Sequence, residues 1–134
     1  NNYKVGNMSF DFVVLPYYAA ALAVGYVILA FLVIRQRFKH RVGLGDGQQP
    51  ELIKVVRIHG NFAEYVPFLL LLLLILELQG AALWQLHLIG ALTLGGRVLH
   101  AIGLLKTSGT SAPRFIGMVS TFSALLIAAG LLVL

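Results

Sequence analysis

The sequence predicts an all-α integral membrane protein, folded as an antiparallel bundle of four transmembrane helices. Of its 134 residues, 59% are hydrophobic and only 11% are charged, a share too small to cover the surface of a soluble domain. The apolar residues form four long stretches, one of them containing LLLLLLIL, and each is long enough to cross a bilayer. The connections between them are short, so neighbouring spans must run in opposite directions.

Hydropathy and flanking residues locate the spans within a single domain, residues 8–134. The four spans cover about residues 12–34, 51–78, 81–105 and 112–134. The second span begins with a polar third, whose turns must lie in the headgroup region or beyond it. Residues 1–7, NNYKVGN, precede Met8 and are typical of a remnant of an expression tag.

Basic residues are concentrated on one side of the predicted bundle. Seven of them lie in or beside the first and third connections: Arg35, Arg37, Lys39, Arg41, Lys54, Lys106 and Arg114. The middle connection, LQGAALWQ, contains none. By the positive-inside rule, the first and third connections lie in the cytoplasm and both termini lie on the opposite side of the membrane.

Composition disfavours several classes of function. Cysteine is absent, which excludes disulfides, thiolate metal sites and a nucleophilic protein thiol. The net charge of +5 lies beside the spans and forms no basic aromatic groove, so no nucleic-acid partner is expected. The four histidines lack convergent spacing with carboxylates, and we therefore expect no metal site.

A polar stripe at the start of the second span is the main candidate for a functional site. In RIHGNFAEYVP, Arg57, Asn61 and Glu64 are spaced i, i+4 and i+7 and therefore share one helix face. An ionised carboxylate at the bilayer centre costs about 2.5–3.5 kcal/mol on insertion scales, so a second helix or a polar ligand must shield Glu64. Tyr65 lies about 100° from Glu64 around the helix and can reach the same groove.

Further polar residues lie near the cytoplasmic ends of the other helices. Arg97 and His100 share one face of the third helix and Arg37 ends the first, so a bundle can bring all three near the stripe. Several arginines with one carboxylate and one amide suit a small zwitterionic or polyanionic ligand. In the alternative interpretation, Arg57 or Arg97 pairs with Glu64 and joins the helices without any ligand.

The remaining polar residues have simpler interpretations. Pro67 follows Glu64 by three positions and bends the second helix, either as a packing kink or to open the groove to a ligand. Five further residues are interpreted as facing solvent or lipid headgroups: His40, Asp46, His59, Glu77 and His87.

Four short spans, a basic first connection and the pattern RxxxNxxEYxP at the start of the second helix resemble the MAPEG family, the membrane-associated proteins in eicosanoid and glutathione metabolism. The resemblance covers about residues 15–134. It implies a bacterial-type member similar to the microsomal glutathione transferases, located in the bacterial inner membrane. It also implies a homotrimer that binds glutathione between neighbouring subunits near the cytoplasmic side. A trimer would shield the polar stripe, which one small bundle would cover poorly.

The resemblance assigns residues to glutathione binding position by position. The residues that match on the second helix are Arg57, Asn61, Glu64 and Tyr65. Arg97 matches an arginine early in the third-helix motif, and Arg37 matches an arginine that reaches the ligand from the neighbouring subunit. His100 and Leu104 stand where leukotriene C4 synthase-like members have ligand-contacting tyrosines, and His100 is included in the predicted glutathione site.

The family chemistry requires ionisation of the glutathione thiol. A reference thiol pKa of about 8.5 leaves only a few per cent thiolate at neutral pH, and lowering that pKa by about two requires about 2.7 kcal/mol. Related members place the thiolate-stabilising arginine after the third helix, where this chain aligns near Ser111. Arg114 is the first candidate for the activating cation and Arg97 the second, with Ser111 and His100 as weaker donors.

Three functions are therefore compared. The first is a glutathione-dependent membrane transferase that joins the thiolate to lipophilic electrophiles, with peroxidase activity towards lipid hydroperoxides as a related expectation. The second is a non-catalytic lipid- or glutathione-binding protein on the same scaffold. The third is a small transporter using Glu64 and Arg97, which is disfavoured because no polar path continues through LLLLLLIL. The expected partners of the first are glutathione, a lipophilic substrate and membrane lipids.

Overall fold

The computed structural model describes residues 3–6, 8–107, 109 and 111–134. Within them lie four helices, α1 (Leu15–His40), α2 (Pro50–Leu78), α3 (Leu83–Lys106) and α4 (Ala112–Val133). All four are long and apolar enough to cross a membrane, which confirms the predicted all-α, four-helix integral membrane fold. α1 continues past its apolar stretch through the basic residues that follow Ile34.

A short antiparallel strand pair, which the sequence analysis did not anticipate, precedes the bundle. β1 (Tyr3–Val5) pairs with β2 (Met8–Phe10), with Tyr3 opposite Phe10. The prediction of a tag remnant at residues 1–7 falls partly outside the described residues, because Asn1, Asn2 and Asn7 are not among them.

Two apolar clusters form the core, one in each half of the bundle. The half that contains the start of α1 is packed by Val14, Leu72, Leu73, Leu76, Leu86, Ile89 and Ala128. The half nearer the basic connections is packed by Leu22, Leu29, Ile58, Phe62, Val66 and Leu104. The buried side chains of Arg97 and His100 lie in the second half of α3, towards the third connection.

Glycines set the close approach of α3 and α4, the most extensively packed pair of helices. A Cβ added to Gly117 would lie 2.6 Å from the carbonyl oxygen of Gly96 and 2.6 Å from the backbone nitrogen of His100. A Cβ added to Gly103 would lie 2.5 Å from the backbone nitrogen of Arg114. Small residues are typical of tight helix pairs in membranes. Here they bring the turn of α4 that carries Arg114 next to the turns of α3 that follow His100.

Replacing Gly117 by alanine should destabilise the protein by about 1–3 kcal/mol, because the added methyl group would overlap backbone atoms of α3. Gly130 in the same helix is the matched control, since a Cβ built there lies within 4 Å of no described atom outside its own stretch of helix backbone. Gly130→Ala should leave stability unchanged or raise it slightly, because alanine favours the helix. Unfolding in detergent measures both variants, and equal effects would contradict the packing argument.

The interpretation of Glu77 as a solvated surface group is wrong. Its Oε1 accepts hydrogen bonds from the backbone nitrogens of Val13 and, at 2.8 Å, Val14, while Oε2 accepts one at 2.7 Å from Leu15. Val14, the N-cap of α1, forms no side-chain cap of its own. The carboxylate of α2 therefore satisfies the free donors at the start of α1 and lies at the positive end of its dipole.

Candidate functional site

Arg97 is the centre of a polar cluster inside the half of the bundle nearer the basic connections. Its side chain is only 4% exposed, although it is charged. Nη1 donates to Oδ1 of Asn61 on α2, and Nη2 donates to Oγ1 of Thr121 on α4 at 2.6 Å. Nη2 also lies 3.4 Å from Sδ of Met118, and the guanidinium carbon lies 5.6 Å from the centre of the Tyr65 ring. One side chain of α3 thus links α2 and α4.

The charge of Arg97 is not neutralised within the described part of the chain. The ion pair found there joins Lys39 to exposed Glu51 at 3.3 Å, and no carboxylate lies within 4.0 Å of Arg97. Nε of Arg97 is buried and has no hydrogen-bond partner among the described residues. The alternative in which Glu64 pairs with Arg57 or Arg97 is therefore not found among the described residues of this chain. Arg97 is thus a buried cation with one N–H donor, at Nε, that the described residues do not use.

The polar stripe of α2 divides into two parts. Asn61 and Tyr65 are half-buried and meet Arg97, and the Tyr65 ring lies edge-on to Phe122 with 5.8 Å between ring centres. Arg57 and Glu64 are exposed on the surface of the bundle. An ionised carboxylate on a membrane helix is costly unless it is shielded. The exposed half of the stripe is therefore a surface suited to a second subunit or a ligand.

His100 lies three residues after Arg97 on α3 and is equally buried. It interacts electrostatically with three arginines from three different helices: Arg97, Arg114 and Arg57. The structure therefore brings these predicted site residues to the same region of the bundle. That region is strongly cationic, which suits an anionic ligand.

The start of α4 holds the two residues predicted to take part in catalysis. Ser111 is its N-cap, and its hydroxyl accepts a hydrogen bond of 3.4 Å from the backbone nitrogen of Arg114. Nη1 of Arg114 lies 3.5 Å from the carbonyl oxygen of Gly109. The N-terminus of a helix favours a bound anion. Ser111 thus has a structural role that its sequence position alone did not reveal.

Arg37 holds the first connection against the end of α1. Its Nη1 donates to the carbonyl oxygen of Gly45 at 2.8 Å and to that of Val42 at 3.4 Å. No hydrogen bond or ion pair joins Arg37 to the Arg97 cluster among the described residues. That Arg37 reaches the glutathione site of a neighbouring subunit stays a prediction.

Two of the other three histidines contact aromatic rings rather than carboxylates. His59 stacks on Tyr26 with 5.0 Å between ring centres. His87, which the sequence analysis assigned no partner, lies with Nδ1 3.0 Å from the hydroxyl of Tyr18 and so joins α3 to α1. Within the described ranges no three histidines or acidic residues form a group that could hold a metal ion.

Thr121 and Met118 belong to the cluster but were not among the predicted site residues, because hydropathy describes the fourth span as almost entirely apolar. The signal was the dipeptide Ser120–Thr121 in the middle of that span. Thr121 is fully buried and donates to the carbonyl oxygen of Gly117 at 2.9 Å while it accepts from Arg97. In membrane helices Ser and Thr hydroxyls hydrogen-bond to neighbouring helices, so such a residue within an apolar span is a clue to a buried polar contact.

A narrow apolar cavity lies directly beside the cluster, between α1 and α3. Its volume is about 190 Å³, and Arg97 is the charged residue among its lining side chains. The aliphatic walls include Ile28, Val98 and Ile102, each more than 40% exposed on the outside of the bundle. A lipophilic molecule dissolved in the bilayer can therefore approach the polar cluster from the side.

The comparisons with known proteins agree with this architecture. Residues 15–134, which include all four helices, match the MAPEG family. Two relatives, the inner membrane protein YecN of Escherichia coli strain K12 and that of Escherichia coli O6:H1 strain CFT073, are each 41% identical to the chain over 86 residues. These alignments cover 64% of this chain and 66% of each relative, slightly less than two thirds of its length. The family match confirms the resemblance seen in the sequence, and the chain is an integral membrane protein of the MAPEG family.

Proposed function

We propose that this protein is a glutathione-dependent membrane transferase that joins the thiolate of glutathione to lipophilic electrophiles in the bilayer. The observation that carries the proposal is Arg97, a 4% exposed cation with no carboxylate partner among the described residues. A buried charge without a partner is costly, and a ligand carboxylate would offset that cost. Glutathione carries two carboxylates and one ammonium group.

Each predicted binding residue then has a distinct task. Arg97 engages Oδ1 of Asn61, so the amide nitrogen of Asn61 remains as a donor for a carbonyl of the ligand. Exposed Glu64 would hold the ammonium group and exposed Arg57 a carboxylate. In a homotrimer the neighbouring subunit would cover this half of the stripe and contribute Arg37, so that the glutathione site is completed between subunits.

The start of α4 is the part of the site best suited to stabilise the thiolate. Arg114 carries a positive charge beside the N-terminus of α4, and both favour a bound anion. The thiol proton would leave to water. The thiolate would then form a bond to an electrophilic carbon, whose leaving group or adjacent π bond takes the electron pair. The cavity of about 190 Å³ beside Arg97 would admit the electrophile from the lipid.

The membrane placement belongs to the same proposal. The relatives are named as inner membrane proteins of a bacterium, and the basic connections of this chain obey the positive-inside rule if they face the cytoplasm. We therefore place the protein in a bacterial inner membrane, with glutathione entering from the cytoplasm.

Titration with glutathione at neutral pH, followed by the ultraviolet absorbance of the thiolate and by calorimetry, tests the proposal. The wild-type protein should show a saturable thiolate band. Glu64→Gln should weaken glutathione binding by about tenfold or more, because a charge-assisted hydrogen bond is lost. Arg114→Ala should retain binding but lose most of the thiolate band.

Two variants serve as matched controls. Glu51→Gln removes an exposed carboxylate from the same helix as Glu64, and Arg35→Ala removes an exposed cation outside the cluster. Neither should change the titration. Failure of the wild-type protein to bind glutathione would overturn the proposal.

One observation favours a second candidate, a non-catalytic lipid- or glutathione-binding protein. Ser111 stands where related members align their thiolate-stabilising arginine, and here it is used as the N-cap of α4. Binding of glutathione detected by calorimetry, without any thiolate band, would select this function. The Arg97 cluster is compatible with both functions and therefore does not distinguish them.

A further inference from the structure

Thr121 is a fully buried polar residue of α4 that takes no part in the proposed reaction. Its hydroxyl donates to the carbonyl oxygen of Gly117 at 2.9 Å and accepts from Nη2 of Arg97 at 2.6 Å. A hydroxyl has a single proton, and here Gly117 takes it. The oxygen of Thr121 therefore meets Arg97 only as an acceptor, which is the role that a guanidinium requires of its partner.

The hydroxyl of Thr121 is held in place from two sides. Its bond to Gly117 joins residues four apart in one helix, and this bond fixes the rotamer of a side chain that is already stiff. On the other side lies the backbone of α3 at Gly96, where an added Cβ would come within 3.1 Å of Oγ1 of Thr121. The acceptor thus occupies one fixed position beside Arg97, the residue that follows Gly96.

Two acceptors hold the guanidinium of Arg97 at its two terminal nitrogens. Thr121 on α4 binds Nη2, and Asn61 on α2 binds Nη1. A planar group bound at two corners can turn little without breaking one of the two bonds. Nε has no partner among the described residues and is left for a ligand. A carboxylate that binds there can accept from two N–H donors of the same guanidinium.

In the alternative explanation, Thr121 only joins α4 to α3, but that pair of helices is held together without it. At Gly96, Gly103 and Gly117 an added Cβ would lie less than 3.0 Å from backbone atoms of the other helix. Valine is branched like threonine and would preserve this packing without a hydroxyl. What the hydroxyl adds is the orientation of Arg97.

We propose that Thr121 is a positioning residue of the glutathione site, which holds the guanidinium of Arg97 ready for a carboxylate of the ligand. This inference rests on the proposed function. A side chain that is ordered before the ligand arrives loses less conformational freedom on binding, and the difference appears as affinity. Thr121 acts through Arg97 and contacts no ligand itself.

Calorimetric titration of Thr121→Val and Thr121→Ser with glutathione tests this role. Thr121→Val should weaken binding roughly three- to tenfold, because the ligand must then order a side chain that is held only by Asn61. Thr121→Ser keeps the hydroxyl and should bind glutathione within about twofold of the wild type.

Thr93→Val is the matched control. Thr93 is 3% exposed, and its hydroxyl also donates to a carbonyl oxygen four residues earlier, that of Ile89 at 2.8 Å. In the described part of the chain no arginine donates to Thr93. Its replacement removes a buried hydroxyl of the same kind and should leave the affinity for glutathione unchanged.

NMR of isotope-labelled arginine side chains gives a measurement that does not depend on glutathione. In the wild-type protein without ligand, hindered rotation of the guanidinium should give separate signals for the Nη protons of Arg97. These signals should merge in Thr121→Val and stay separate in Thr121→Ser and Thr93→Val. A role confined to helix packing would lower the unfolding temperature of Thr121→Val without changing these signals.

Unchanged or tighter glutathione binding by Thr121→Val would overturn the proposal, as would an equal loss in Thr121→Ser or Thr93→Val. Separate Nη signals in Thr121→Val would also overturn it, since Arg97 would then be held without the hydroxyl. A wild-type protein that binds no glutathione would instead overturn the proposed function, and the Arg97 signals would still show whether Thr121 holds the guanidinium.

Discussion

Replacing Arg97 by methionine is expected to lower the free energy of unfolding by about 1–3 kcal/mol and to abolish glutathione binding. Methionine follows the arginine side chain as far as Nε and lacks only the end of the guanidinium group, so the loss should come mainly from the polar groups that the guanidinium contacts. Oδ1 of Asn61 would lose its donor, and an unsatisfied polar group in the interior carries a penalty of that size. Thr121 would keep its bond to Gly117.

A triple variant separates the stability of this cluster from its function. In Arg97→Met with Asn61→Leu and Thr121→Val, no polar group of the cluster is left unsatisfied. Replacing a buried charged network by apolar residues of similar volume is often neutral or stabilising. We therefore expect the triple variant to recover at least the stability of the wild type while it still fails to bind glutathione. That result would mean that the cluster is retained for ligand binding.

Unfolding in mixed micelles and calorimetric titration with glutathione provide the two measurements. A triple variant as unstable as Arg97→Met would show that the cluster mainly holds the helices together. Glutathione binding by Arg97→Met with unchanged affinity would remove Arg97 from the proposed site.

The periodicity of the second helix placed Asn61 on one face with Arg57 and Glu64, because the helical repeat places side chains on faces without any tertiary information. Asn61 and Tyr65 do meet Arg97, as a bundle of the predicted kind allows. Periodicity does not give the rotation of one helix against another. Hence the sequence did not show that Arg57 and Glu64 would face outward while Asn61 and Tyr65 face inward.

Partners far apart in sequence could not be predicted for the same reason. Thr121 lies 24 residues from Arg97 and Glu77 lies 62 to 64 residues from the amides that it binds. Hydropathy describes Thr121 as one weakly polar residue in an apolar span and describes Glu77 as a charge at a span end. A clue was present at the start of α1, where VVLP offers no Ser, Thr, Asp or Asn to cap a helix.

Replacing Glu77 by alanine is expected to lower the free energy of unfolding by about 2–3 kcal/mol. Loss of an ordinary N-cap costs about 0.5–2 kcal/mol, and here one carboxylate satisfies three backbone donors with its charge at the positive end of the helix. Only Leu22 and Leu29 of α1 are buried. α1 therefore has few other contacts that could compensate for the lost cap.

Hydrogen exchange locates the effect within the chain. The amides of Val13, Val14 and Leu15 should exchange much faster in Glu77→Ala, while amides in the middle of α3 should remain protected. Glu77→Gln should show an intermediate loss, because the amide oxygen accepts without carrying a charge.

Glu51→Gln is the matched control for this prediction. Glu51 also lies at an end of α2, but its carboxylate is 58% exposed and its partner Lys39 is 61% exposed. A surface ion pair of this kind contributes at most about 1 kcal/mol, and often much less. If Glu51→Gln destabilised the protein as much as Glu77→Ala, the change in net charge rather than the loss of a cap would account for both effects. The hydrogen bonds that Glu77 accepts at the start of α1 would then not be what stabilises the protein.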